Sequence, residues 1–435
     1  MTDWLRHAGR PFKPALNLLR SYMIAPLAAD LGGLSARLEQ IGAAREGAIN
    51  PAQTSAPTPP AAAAAGPIDM NLLLHRGRTA LLREVPKGAE VFLSAGCAGS
   101  WFFEWVQKCY GDIPRHIGLE YYVPRPDTLP ANVEWIANTC SDMSGVADRS
   151  CDLVFSGQNL EHLWTDEAVG FFLEAARVTR PGGLLVMDSP NRGITEVLRT
   201  WVHPEHTVEL TTAEAVEVTG MAGFDVAAVK GIWLGRDPNT GTVLPFEHAD
   251  GLPLSLEERL IGGVGQPDHA FLWWIEARRA DREPDGAALR HRLTDIFRTA
   301  WPERASRSIV GVGRVETGPD GEWVVCPPAT SGPLIFGPYM PLRPGRYRCT
   351  FELEAETNGM EARARCDVAA GESGTVLMWR DLHVGAARET VSFEFELAAL
   401  QFGLQFRCYS LGGSGFRCRR VVRFEELGPT AIIAA

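Results

Sequence analysis

Between residues 90 and 190 the chain repeats one pattern, a short apolar run ending in small residues followed by a segment of helical spacing. EVFLSAG (90–96) leads into SWFFEWVQKCY (100–110), and RHIGLEY (115–121), VEWIANT (133–139), CDLVFSG (151–157) and GLLVMDSP (183–190) are further runs of this kind. TDEAVGFFLEAARVTR (165–180) reads as an amphipathic helix, with Thr165 as its expected cap and Pro181-Gly182-Gly183 as its stop. Strands alternating with helices predict a parallel sheet covered on both faces. A sheet of that kind receives its ligand beyond the carboxyl ends of its strands.

The 435 residues, 45% of them hydrophobic, leave room for two or three domains. Beyond residue 306 the period falls to two: RYRCTFELEAE (346–356), MEARARCDVA (360–369), TVSFEFELA (390–398), FGLQFRCYS (402–410) and FRCRRVVRFEEL (416–427) alternate apolar and polar residues between Gly-rich turns. That alternation predicts antiparallel strands with one face inward, hence a sandwich over 306–430. Residues 283–305 read as a connecting helix. At the other end, GAINPAQTSAPTPPAAAAAGP (47–67) carries no charge and little to bury, and reads as a linker. Before it, in residues 1–46, Leu16, Leu19, Met23, Leu27, Leu31, Leu34, Leu38 and Ile41 form a helical stripe. Two uses of the stripe stay open, self-association into a homo-oligomer and docking on a membrane surface or partner.

The net charge of −11, from 42 basic and 53 acidic residues, argues against a nucleic-acid partner, because phosphate contacts need a basic surface. Nine scattered cysteines without a CxxC pair argue against a disulfide framework and a zinc ribbon. Without a long apolar stretch or a leader-like start, the expected location is the cytoplasm, with at most peripheral membrane association.

The first strand runs directly into Gly96-Cys97-Ala98-Gly99-Ser100 and a helix. Small residues there let backbone approach a ligand, and the helix N-terminus offers N–H groups to an anion. Glu120, at the end of the next strand, is placed to accept the hydroxyls of a ribose. Further on come Asn159-Leu160-Glu161-His162-Leu163, Arg177-Val178 with Arg180-Pro181-Gly182-Gly183, and Ala222-Gly223-Phe224.

Taken in order, these motifs resemble the class I S-adenosylmethionine-dependent methyltransferases over residues 68–282. The resemblance implies a Rossmann-like domain with a mostly parallel seven-stranded sheet, and S-adenosylmethionine as cofactor. It implies a cofactor set of Ala95, Gly96, Cys97, Ala98, Gly99, Ser100, Glu120, Tyr121, Asp142 and Asn159. Four positions depart from the family pattern. Ser94 stands where the family often has Asp, Ala98 and Ser100 replace glycines, and Cys140 or Ser141 falls near a position usually acidic, with Asp142 close by. Asp152, at the start of a strand, is expected to serve structure.

Methyl transfer to a hydroxyl needs a base, and imidazole titrates nearest to working pH. The candidates are His162 and the pair His203 and His206 in a Pro-containing loop, each with packing as the competing use. No metal set is expected: His203, Glu205 and His206 are too close in sequence, and no further paired ligands stand out. Trp233, Trp273 and Trp274 are expected in the core. The 306–430 region is similar to sandwich modules attached to bacterial surface-polysaccharide enzymes, with Tyr339, Trp379, Arg380 and Tyr409 eligible to meet carbohydrate. The resulting expectation is an O-methyltransferase acting on a sugar hydroxyl of a bacterial glycan or its lipid-linked precursor. Its rivals are a small-molecule methyltransferase and a scaffold that has lost turnover.

Overall fold

The computed structural model describes residues 69–198, 203–248, 251–355, 362–371, 374–385 and 387–428. The expected helical segment 1–46 and linker 47–67 lie outside the described residues. The chain forms two compact units. The described part of one comprises residues 69–84, 247–248 and 251–256, and its helix α1 (Met70–Glu84) opens on Asp69, whose Oδ1 accepts from the N–H groups of Asn71 and Leu72 at 3.0 and 3.1 Å. The other unit, residues 85–246 with 257–435, contains both the α/β sheet and the β-rich region.

The α/β sheet has seven strands: β1 (Val91–Ala95), β2 (Arg115–Leu119), β3 (Val133–Ile136), β4 (Cys151–Gly157), β5 (Thr179–Pro190), β6 (Phe224–Leu234) and β7 (Ala270–Arg279). Their order is β3-β2-β1-β4-β5-β7-β6, with β7 antiparallel to both neighbours and the rest parallel. Leu93 of β1 pairs with Ile117 on one side and Val154 on the other. The order reverses between β1 and β4, so the crevice for a ligand opens beyond Ala95 and Gly157.

Helix α2 (Ser100–Tyr110) buries Phe102, Phe103, Trp105 and Val106. Its fit depends on Gly118 of β2, where a Cβ would stand 2.4 Å from Phe103 Cζ and 2.7 Å from Cys97 Sγ. Helix α3 (Thr165–Val178) buries Val169, Phe171, Phe172, Ala175 and Ala176. Thr165 is not its cap. Glu167 reaches back to accept from Trp164 N–H at 2.9 Å, so a carboxylate in the first turn satisfies the helix start and complements its dipole. Asp152 ties strand starts together, accepting from Val91 N–H at 2.8 Å and from Arg180.

Helices α4 (Arg192–Thr195), α5 (Thr212–Met221) and α6 (Leu256–Val264) complete the α/β region, and α7 (Gly286–Ala305) leads from it to the β-rich part. There, two six-stranded antiparallel sheets share one core. The first contains β9 (Arg314–Gly318), β10 (Gly321–Cys326), β13 (Gly345–Ala355), β16 (Glu389–Leu397), β18 (Phe416–Arg419) and β19 (Arg423–Gly428). The second contains β8 (Ile309–Val310), β11 (Ser331–Phe336), β12 (Pro338–Leu342), β14 (Ala362–Ala370), β15 (Thr375–Val384) and β17 (Gln401–Gly413). Phe351, Leu353 and Phe393 of one sheet and Cys366, Val368 and Phe406 of the other belong to that core. The run 416–427, read as one strand, is two strands, each pairing with β13.

All nine cysteines are free and buried. No helix among the described residues is long and apolar enough to cross a membrane.

Arginines are among the contacts between the sandwich and the α/β region. Arg343 reaches Asp166 Oδ1 at 2.8 Å and Glu167 Oε1 at 3.0 Å, with its guanidinium 4.8 Å from the Trp164 ring. Arg304, near the end of α7, is buried and donates from one terminal nitrogen to the carbonyls of His203 (2.5 Å) and Tyr339 (3.4 Å).

Candidate active site

Past Ala95 the backbone turns through Gly96 at φ +80° and Gly99 at φ +114° before α2 begins. The N–H groups of Gly96 and Cys97 both donate to Leu119 O, at 3.0 and 3.1 Å, which pins this turn to the end of β2 beside Glu120. A Cβ at residue 96 would stand 2.9 Å from Asn159 Oδ1, so only glycine fits beneath that amide. Asn159 in turn donates to Ser156 Oγ at 3.1 Å and Cys140 Sγ at 3.4 Å.

Glu120 is buried, and its Oε1 accepts from Tyr122 and Val123 N–H at 2.9 and 3.0 Å. These bonds fix the carboxylate at the carboxyl end of β2. Tyr121 follows it, 38% exposed. Ser94, where an acid is common, meets His116 instead: Oγ and Nε2 are 2.8 Å apart and both residues are buried.

Asp142 stands apart from this group. It is exposed, and hydrogen bonds from the Ser144 side chain and backbone hold its carboxyl below the usual range. The residue that touches Asn159 is Cys140, whose thiol burial pushes up to about 12, so that it stays neutral. Ala98 lies within the turn and accepts from Trp101 Nε1 at 3.2 Å.

The three candidate histidines converge, although 41 positions separate His162 from His203. His162 ends a short 3-10 turn (Leu160–His162) after β4, and His203 and His206 follow the neighbouring strand β5. Thr207 joins the segments: its N–H donates to Glu161 O at 2.7 Å and its hydroxyl to Leu163 O at 2.6 Å. The His203 and His206 rings stack with centroids 4.0 Å apart, and the His162 centroid lies 4.9 Å from that of His206. His162 Nδ1 is 3.2 Å from Glu205 O, and His206 Nδ1 is 2.8 Å from Glu209 Oε1. Thr195 Oγ1 donates to the other oxygen of Glu209.

Burial lowers all three imidazoles, His162 to about 4, and His203 and His206 well below the usual value. They are therefore neutral at working pH, and each Nδ1 facing an acceptor carries the proton. The candidate site residues read from the sequence did not include Glu161 or Glu209, although Glu161 lies within the Asn159–Leu163 motif. Glu161 is 1% exposed, and burial, with the nearby Asp188 charge, pushes its carboxyl up to about 8. It stands between Leu160 and His162, shortly after a buried strand.

Trp233, Trp273 and Trp274 are fully buried. Of the aromatics eligible for carbohydrate, Tyr339 and Tyr409 are half-buried, whereas Trp379 on β15 is 59% exposed.

Residues 93–187 match the family described as "Methyltransferase domain". A probable S-adenosylmethionine-dependent methyltransferase of Mycolicibacterium smegmatis (strain ATCC 700084 / mc(2)155) is 34% identical over 155 residues, 33% of this chain and 55% of that protein. One of Mycobacterium tuberculosis (strain ATCC 25618 / H37Rv) is 36% identical over 121 residues, 28% of this chain and 40% of that protein. The chain spans about half the length of these relatives. A SAM-dependent methyltransferase from Archaeoglobus fulgidus is 16% identical, with a TM-score of 0.34 over 48% of this chain and 94% of that one. The strand order of the α/β region, with its match to a methyltransferase domain over residues 93–187, gives it a Rossmann-like methyltransferase fold.

Proposed function

We propose that the protein methylates a sugar hydroxyl of a bacterial glycan or its lipid-linked precursor. When bound, S-adenosylmethionine supplies an electrophilic methyl group. In this reading the turn at Gly96–Ser100 holds the amino-acid part of the cofactor and Glu120 the ribose, while Asn159 closes over the turn. The adenine amine then meets the neighbourhood of Cys140 rather than Asp142, because Cys140 is the residue in contact with Asn159.

The observation that carries the reading is the convergence of His162, His203 and His206 beside the carboxyl end of β4. A hydroxyl acceptor must lose a proton as its oxygen takes the methyl group, and the three neutral imidazoles offer acceptors for it. Glu205 O and Glu209 orient two of the rings, so their proton-accepting nitrogens are set before the acceptor arrives.

The sandwich supports a glycan as acceptor. On β15, Val376 and Leu377 are exposed along with Trp379, and the Arg365 guanidinium lies 4.8 Å from the Trp379 ring while pairing with Asp381 at 2.7 Å. An exposed indole beside planar polar groups offers both the apolar face and the hydrogen bonds that a sugar ring uses.

Calorimetry with S-adenosylmethionine and mass spectrometry of oligosaccharides incubated with the full chain test this reading. Glu120→Ala is expected to weaken cofactor binding about 100-fold, as a lost charged hydrogen-bond acceptor does. His162→Ala is expected to spare binding and slow methylation by about 10²-fold. Absence of cofactor binding to the unaltered chain, or transfer confined to non-hydroxyl acceptors, would overturn it.

A further inference from the structure

Glu161 is the buried group that the proposed function leaves unexplained. Neither of its carboxyl oxygens has a hydrogen-bond partner among the described residues, and a buried polar group without one is costly. Two imidazoles face it: one donor atom each from Glu161, His162 and His206 lie within 4.8 Å of one another.

Both imidazoles are arranged in the way that metal-bound histidines are. The Nδ1–H of His162 donates to Glu205 O, and that of His206 to the Glu209 carboxylate, which Thr195 also holds. In each ring this fixes the tautomer whose lone pair is on Nε2, and a carbonyl or carboxylate behind a ligand histidine raises its donor strength. We propose that Glu161, His162 and His206 bind a first-row divalent cation of the Mn²⁺ or Zn²⁺ type.

Two nitrogens and one carboxylate suit these ions better than Ca²⁺ or Mg²⁺, which favour all-oxygen cages. Three protein ligands leave coordination positions for a substrate oxygen. The ligands come from loops after two adjacent strands, which is why the spacing of His203, Glu205 and His206 alone did not disclose them.

The role of the ion rests on the methyltransferase reading. A cation at this place binds the acceptor hydroxyl and lowers its pKa. With their Nε2 atoms on the ion, His162 and His206 no longer serve as the base: the O–H bond breaks and its proton leaves to solvent water, the O–CH₃ bond forms and the S–CH₃ bond breaks. The positive sulfonium becomes a neutral thioether, and the released proton carries the charge away.

The test uses the full chain stripped with EDTA, titrated with Zn²⁺ and Mn²⁺ by calorimetry and assayed for retained metal after gel filtration. A single equivalent is expected to bind, and Glu161→Gln, nearly identical in shape, is expected to bind about 10- to 100-fold more weakly. Absence of a bound equivalent at millimolar metal, or equal affinity in the variant, overturns the proposal. Should circular dichroism show Glu161→Gln unfolded, His162→Ala replaces it under the same criterion, and the titration of the unaltered chain stands in either case. Titration of the same samples with S-adenosylmethionine separates the two claims. Cofactor binding without metal refutes the cation site alone, and metal binding without cofactor refutes the methyltransferase reading alone.

Discussion

Ser94 Oγ of β1 and His116 Nε2 of β2 lie 2.8 Å apart, with Phe92 and Phe103 packed edge-on against the imidazole. The acid common at position 94 is thus replaced by a neutral hydroxyl matched to a neutral ring. Burial holds His116 at about 3 against an unfolded value of 6.5.

That depression makes stability depend on pH. Above the unfolded pKa both states are neutral and His116 contributes nothing. As pH falls below 6.5 the unfolded chain takes up a proton that the folded chain refuses, so stability drops until the folded pKa near 3 is reached. At about pH 5 the loss from this residue is expected to be about 2 kcal/mol. Urea unfolding at neutral and acid pH measures it, and His116→Asn is expected to flatten the difference.

Gly96→Ala strains a backbone at φ +80° and drives a methyl group against the Asn159 amide. The expected cost is about 1–2 kcal/mol of stability, together with a loss of cofactor affinity of tenfold or more as Asn159 is displaced. A thermal melt and calorimetry on one sample read both quantities. Undiminished affinity would show that the turn does not touch the cofactor.

Arg343→Ala removes two partly exposed ion pairs and the contact with Trp164. Exposed pairs are worth little, so about 1 kcal/mol in total is expected, and less in about 1 M salt. Urea unfolding at two ionic strengths checks the magnitude and its screening.

Trp379→Ala leaves the sandwich core untouched, because the side chain is 59% exposed. The melting temperature is expected to stay within a degree or two, while affinity for a glycan acceptor falls about tenfold with the lost ring face. Fluorescence titration with oligosaccharides follows the binding. An unchanged affinity would remove β15 from the acceptor site.

The parts legible in the sequence are those where one physical demand dominates. β1 and β4 are buried on both faces and so read as apolar runs, and Gly96 was visible because a tight strand-to-helix turn has few alternatives. β15 escaped notice because an edge strand whose side chains are largely exposed needs no alternation. The start of α3 was misread because Glu167 satisfies Trp164 N–H by reaching backwards, which leaves Thr165 without the capping role its residue type suggests. His162 and the His203–His206 pair could each be suspected from the sequence. Their meeting depended on β4 and β5 being neighbours, and the part played by Glu161 and Glu209 depended on contacts that no linear spacing encodes.

Arg304 has one further consequence. A single guanidinium is shared between a carbonyl of the histidine loop and a carbonyl of the sandwich. The two regions therefore cannot be exchanged as independent cassettes: a different sandwich grafted at this point would have to present an oxygen at the place of Tyr339 O, or leave the cation half-satisfied and the histidines without their brace. Whatever the histidine loop and the sandwich each contribute is in that sense inherited together, through one side chain that belongs to neither sheet.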